Sequence, residues 1–131
     1  MRAEVTIINT LLRDKTINKF FGGRIYQAFA PAGTVSSANA FAIVERTEDT
    51  ALDRTMDGTS PPSIFLVTIT ITVYGKTYEA SSDGMRLIRK AMGAFNPSSI
   101  ESGELQGINQ VGDSLWSSLQ TQFSIIENLG D

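Results

Sequence analysis

The stretch IFLVTITITVY, residues 64–74, decides the fold of this chain. Aliphatic residues alternate in it with threonines, and β-branched residues favour extended backbone. Because successive side chains of a strand point to opposite faces, the alternation predicts a long strand with one aliphatic and one threonine face. We expect the first face to be buried and the second to be exposed. The aliphatic residues are Val67, Ile69, Ile71 and Val73, and the threonines are Thr68, Thr70 and Thr72.

A helical pattern follows this strand at residues 77–95. Its apolar residues share one stripe, which is typical of a helix with one buried face. They are Tyr78, Met85, Ile88, Met92 and Phe95. The cations Arg86, Arg89 and Lys90 lie on other sides and toward the C-terminal half, where the helix dipole favours them. Gly84 weakens the helix by about 1 kcal/mol relative to alanine, which either a close approach to the sheet or simple tolerance would explain.

Two helical segments are expected before the strands. Apolar residues at spacings of three and four predict a helix over residues 3–13. They are Val5, Ile8, Leu11 and Leu12. A short second helix over residues 15–21 can be capped by Asp14, and Gly22 and Gly23 can end it because glycine accepts left-handed backbone.

Four further segments have the composition of strands, and they surround a polar stretch. The strands are expected at residues 24–29, 41–46, 104–111 and 115–127, and residues 47–63 are expected to form a long loop or an extended hairpin tip. The order of elements predicts a single α+β domain over residues 1–131. Its sheet is antiparallel or mixed, with about four to five strands and with the long and N-terminal helices packed on one face.

The composition excludes several classes of function. The chain has no cysteine and no histidine, so disulfides, thiolate metal sites and Ser-His-Asp or Cys-His catalysis are absent. Its 11 Lys and Arg are scattered and the net charge is −3, which disfavours tight binding to nucleic acid. No signal peptide and no apolar run of about 18 residues is visible, so a soluble protein without an export signal is expected. We predict no catalytic residue, metal or cofactor.

One cluster of acidic residues in the sequence could belong either to a metal site or to a loop. It comprises Glu45, Glu48, Asp49, Asp53 and Asp57. Its spacing does not match a calcium loop, so a solvated or interface loop is favoured over a metal site. A long polar loop is costly to order unless another chain contacts it, which indicates assembly.

A series of short motifs, in order along most of the chain, resembles the small tail completion (tail terminator) proteins of long-tailed double-stranded-DNA phages. The motifs are Leu11-Leu12-Arg13-Asp14, Gly22-Gly23-Arg24-Ile25-Tyr26, Ala30-Pro31, Ala42-Ile43-Val44, Thr55-Met56-Asp57-Gly58, Val73-Tyr74-Gly75, Thr77-Tyr78 with Ala80, and Ile88-Arg89-Lys90-Ala91-Met92.

The resemblance implies a structural protein and not an enzyme. Such proteins form a hexameric ring on the last ring of tail-tube subunits, stop tail polymerisation and present a surface to the head-side connector or stopper. DNA passes through the lumen without specific binding, and no membrane is involved. The chain would act at the tail–neck junction of the virion after assembly in the host cytoplasm. Within this hypothesis, the length and charge of the loop place the interface residues at Arg46, Glu48, Asp53, Arg54, Asp57 and Gly58.

Two alternatives remain open from the sequence. Another neck or tube component, such as a head–tail connector or a tube subunit, also builds rings from sheets and helices. A carboxylate-based hydrolase or metal-dependent enzyme would use the acidic residues between Glu45 and Asp57.

Overall fold

The computed structural model describes residues 3–29, 40–51, 64–93, 100–111 and 114–128. Within these residues the chain forms three helices and five strands. They are α1 (Ala3–Arg13), α2 (Lys15–Phe21), β1 (Ile25–Gln27), β2 (Ala40–Ala51), β3 (Ile64–Gly75), α3 (Tyr78–Gly93), β4 (Ile100–Val111) and β5 (Ser114–Asn128).

The strands form one mixed sheet in the order β1-β2-β3-β5-β4. β1 runs parallel to β2, and the other neighbours are antiparallel. Buried residues of all three helices join a core with one face of this sheet. The predicted α+β class, with a mixed sheet and helices packed on it, is confirmed.

The central strand, β3, buries its aliphatic face as expected. Val67, Ile69, Ile71 and Val73 are all inaccessible to solvent. The prediction that the threonines are exposed is wrong for Thr70 and Thr72, whose exposed fractions are 4% and 9%. Thr72 pairs with Ile43 on one side and Gln120 on the other, and longer side chains on both flanking strands cover a short one between them.

The two N-terminal helices form where the sequence predicts them. Asp14 caps α2, since its carboxylate accepts hydrogen bonds from the N–H groups of Thr16 (3.0 Å) and Ile17 (3.1 Å). Gly22 ends α2 in the left-handed conformation at φ +60°. The expected buried stripe of α1 is wrong at Val5, which is exposed. The stripe that packs on the sheet is Ala3, Ile7 and Leu11, and it includes the charged residue Glu4.

Helix α3 packs on the sheet through Met85, Ile88 and Met92 as predicted. Tyr78 was expected on that stripe but is 53% exposed, because the first residue of α3 lies only three positions after the end of β3. Phe95 lies outside the described residues. A Cβ atom on Gly84 would lie 2.9 Å from Phe21 Cζ, so a close approach explains this glycine.

Strand β2 is longer than the sequence indicated. A long loop or an extended hairpin tip was expected from Thr47, and the backbone continues to pair antiparallel with β3 as far as Ala51, which lies opposite Phe65. Polar residues are tolerated there because this half of β2 has no described strand on its outer side. Residues 52–63 of the expected loop lie outside the described residues.

Replacing Gly75 by alanine should destabilise the fold, by about 1–3 kcal/mol as for other overpacked sites. The added Cβ would lie 2.5 Å from the backbone nitrogen of Ser81, so the first turn of α3 would have to move. Gly93→Ala is the matched control, because its Cβ would meet no atom within 4 Å, and its effect should stay within about 1 kcal/mol. Urea unfolding followed by circular dichroism measures both, and equal stabilities of the two variants would contradict this packing.

Candidate interaction site

The outer half of β2 holds the candidate site. Strand β1 pairs only with Ala42–Val44, so residues 45–51 form a sheet edge without a described neighbour on that side. The pairing with β3 shifts register between Arg46 and Glu48. Such a bulge bends a strand and re-aims its side chains. Thr47, the extra residue, is anchored by its hydroxyl, which donates to the Thr68 carbonyl at 3.3 Å.

Arg46 is the centre of an ion-pair network that joins three elements. Its Nε donates to Glu4 of α1 (3.1 Å), and its Nη1 donates to both carboxylate oxygens of Asp49 (3.0 and 3.1 Å). Its Nη2 donates to Glu127 of β5. Glu127 also accepts a hydrogen bond from the N–H of Ala3 at the start of α1 (2.7 Å). The network therefore ties α1 and β5 to the bulge of β2.

Burial makes this network a strong electrostatic feature. Glu4 and Glu127 are each only 2% exposed. Burial alone would raise the pKa of Glu127, but the hydrogen bonds from Arg46 and Ala3 and the charge of Arg46 together lower that pKa below its ordinary value. The hydrogen bond to Glu127 raises the pKa of Arg46 against the opposing effect of burial. Arg46 and Glu127 are thus both charged at neutral pH and hold each other in position.

The predicted interface residues have different outcomes. The Arg46 side chain binds Glu4 and Glu127 and is 24% exposed. Glu48 is exposed and lines an open cleft of about 260 Å³ with Arg46, Thr47 and Asp49. Asp53, Arg54, Asp57 and Gly58 lie outside the described residues. The contact of these residues with other tail components stays a prediction.

We name the carboxylates at this edge the acidic edge: Glu45, Glu48 and Asp49. Glu45 and Glu48 are exposed, and Asp49 is held by Arg46. Three acidic residues of the sequence-predicted group thus lie along this half of β2, with Glu45 and Glu48 on one face of the strand and Asp49 on the other, and Asp53 and Asp57 lie outside the described residues. Among the described residues, no group of three or more acidic side chains is arranged to hold a metal ion.

A basic surface lies between α3 and β5. A cleft of about 310 Å³, which we name the arginine cleft, is lined by Ser82, Met85, Arg86, Arg89 and Leu119. The Arg86 side chain is 79% exposed and lies 3.9 Å from Asp83, a weak contact on the same helix. From the sequence, these arginines belong to a solvated face of the helix. The sequence could not show that Leu119 of β5 would line a cleft together with them.

An aromatic cluster occupies the sheet face opposite the helices. Phe41 stacks on Tyr74 with ring centroids 4.9 Å apart and lies 5.3 Å from Trp116. Phe41 and Trp116 are buried, and Tyr26 is half-buried beside them. Burial, and to a lesser extent the charge of Glu45, raises the pKa of Tyr74. Glu45 and Glu48 of the acidic edge therefore share one face of β2 and β3 with this cluster, whereas Asp49 lies on the helix side.

Comparisons with known proteins give one informative result. No family model matches the sequence, and no curated protein matches it. A chain in a solved structure of the virion of a native gene transfer agent particle has a similar fold, with a TM-score of 0.51 and 12% sequence identity. The match covers 98% of this chain and 100% of that one, so the likeness concerns the whole domain. Within the described residues, none of the helices has the length and apolar character to span a bilayer.

Proposed function

We propose that this chain is a structural virion protein that forms a ring on the end of a tail tube, ends tube polymerisation and provides the surface for head–tail joining. The observation that supports this most is the shared fold with a chain of a virion, which extends over 98% of this sequence. The series of motifs that resembles tail completion proteins supports the same role independently.

The physical properties of the described residues agree with assembly. A closed ring needs a heterologous interface, in which two different surfaces of the subunit meet. The sheet supplies different edges on its two sides, namely the outer half of β2 and the strand β4. The ion-pair network of Arg46 fixes the first of these edges by binding side chains of α1 and β5. The proposed function depends on the shape and charge of the subunit, and it requires no reactive group.

The partners follow from this role. Six copies would form the ring, with the tail-tube protein on one side and a head-side connector or stopper on the other. DNA would cross the lumen without being held, for which a net charge of −3 and scattered cations are suitable. The mature location would be the tail–neck junction of the virion, reached from the host cytoplasm.

Native mass spectrometry and electron microscopy test this proposal directly. We expect the purified chain, alone or mixed with tail-tube protein, to form six-fold rings and to bind tube ends. Tubes that polymerise in its presence should be shorter than tubes grown without it, because capped ends cannot grow. A chain that stays monomeric at every concentration and does not bind tube ends would contradict the proposal. Polymerisation of the chain itself into long tubes would instead identify a tube subunit.

A further inference from the structure

We infer that neighbouring copies of this chain contact one another head to tail, with the acidic edge of one copy seated against the arginine cleft of the next. This inference rests on the proposed ring, and it specifies the surfaces through which neighbouring subunits of that ring contact each other. The partner is a second copy of the same chain, because one subunit presents both halves of a charge-complementary pair.

The two surfaces lie on different sides of the subunit. In the sheet, β2 and β5 flank β3 on opposite sides. The acidic edge belongs to β2, and the arginine cleft opens over Leu119 of β5. Helix α2 packs along the other flank of α3, where Ile17 and Leu87 line a separate cleft. A subunit therefore cannot bring its own acidic edge to its own arginine cleft, and a second copy can.

The chemistry of the two surfaces is suited to direct pairing. Arginine presents a planar fork of donors that matches a carboxylate, and Arg86 is exposed enough to turn toward one. Asp49 is already held at 3.0 Å by Arg46, so part of the acidic edge is fixed before a partner arrives. Pre-organisation of this kind reduces the entropy that binding would otherwise lose.

Charge also selects the arrangement of the copies. A two-fold contact between two acidic edges would place like charges opposite each other, which is unfavourable, and the same holds for two arginine clefts. Only the pairing of unlike surfaces brings opposite charges together. Such a contact is heterologous, and it generates a ring when its rotation closes.

Charge reversal at each surface tests the inference. The edge variant is Glu45→Arg with Glu48→Arg, and it spares Asp49 and the Arg46 network. The cleft variant is Arg86→Glu with Arg89→Glu. Each variant alone should dissociate at a protein concentration about tenfold higher than the wild type, or fail to form rings. Circular dichroism and thermal unfolding show whether each variant is folded, and Lys15→Glu with Lys19→Glu on α2 is the control for the change in net charge of the cleft variant.

Mixing the two variants gives the decisive result. The edge variant then carries two basic surfaces and the cleft variant two acidic ones, so an equimolar mixture should form rings in which the two alternate. The chain that carries all four changes should also form rings by itself, because its charges are exchanged and still complementary. Wild-type rings should dissociate on raising NaCl from 0.1 M to 1 M, as the Debye length falls from about 10 to about 3 Å.

Several outcomes would overturn the inference. If both charge-reversal variants form rings as the wild type does, the inferred contact is wrong but the ring itself is not. If the wild type never self-associates, the ring and the contact are refuted together. Loss of assembly in each variant without recovery in the mixture would show that the two surfaces do not meet. Intact rings with altered retention of duplex DNA in the cleft variant would assign the arginines to nucleic acid.

Discussion

Replacing Arg46 by methionine should lower the free energy of unfolding by about 3–5 kcal/mol, the range for removal of one partner from a buried ion pair. The methionine fills a similar volume, so the loss comes from charge. Glu4 and Glu127 are each 2% exposed, and the substitution removes the guanidinium that both carboxyl groups bind. Urea unfolding at neutral pH, followed by circular dichroism, measures the change. A variant within about 1 kcal/mol of the wild type would show that the network is dispensable.

A compensated variant separates lost charge pairing from lost packing. With Glu4→Gln and Glu127→Gln added to Arg46→Met, both buried carboxylates are replaced by neutral amides, and the amide oxygen at position 127 can still accept from Ala3 N–H; Asp49 also loses Arg46, but its side chain is 42% exposed. Most of the lost stability should return, since replacing a whole buried ion pair is often neutral. Failure of this variant to recover would assign the loss to packing around the arginine stem.

Acid should weaken the wild type more than the compensated variant. The pKa of Glu127 is lowered in the folded state, so its contribution is complete above the unfolded value of about 4.3 and is lost as the pH falls through the folded value. Urea midpoints measured from pH 7 downward should therefore fall faster for the wild type below about pH 4. Parallel curves for the two proteins would contradict the assignment.

The fold was predictable where a local rule acts alone. The alternation in residues 64–74 predicted β3, and Asp14 and Gly22 predicted the limits of α2, because a strand period and two caps depend only on nearby residues. Thr70 and Thr72 were wrongly predicted to be exposed, because their burial does not depend on nearby residues of the sequence. Their burial depends on residues of the neighbouring strands, which are Glu45 and Gln122 beside Thr70 and Ile43 and Gln120 beside Thr72, and no pattern within β3 contains that information.

The site was only partly predictable. Arg46 was identified from charge, but its partners lie 42 and 81 residues away in sequence. A signal was nevertheless available in β5, where Leu119, Thr121, Phe123 and Ile125 alternate toward the core and Glu127 continues the same phase. A carboxylate on a buried face requires a partner. Glu4 gives the same signal on the packed side of α1, and two such residues predict one shared cation.

Truncating Trp116 to alanine should destabilise the chain by about 3–5 kcal/mol, as for other large aromatic residues removed from a core. Trp116 is fully buried although it lies on the sheet face away from the helices, and its contact with Phe41 joins β5 to β2 across β3. Its loss should leave a cavity that this rigid face cannot close. Chemical unfolding monitored by circular dichroism measures the change, since Trp116 is the single tryptophan and cannot serve as a probe in its own variant.

Two control variants test whether the effect of Trp116→Ala comes from a second packed core on the sheet face away from the helices. Tyr78→Ala removes an aromatic residue that is 53% exposed, so it should change stability by no more than about 0.5 kcal/mol. Trp116→Phe keeps a ring against Phe41 and should lose less than Trp116→Ala. If the face opposite the helices were only a surface, Trp116→Ala and Tyr78→Ala would be equally mild. A large difference between them would instead show that both faces of β3 are packed, in agreement with the burial of Thr70 and Thr72.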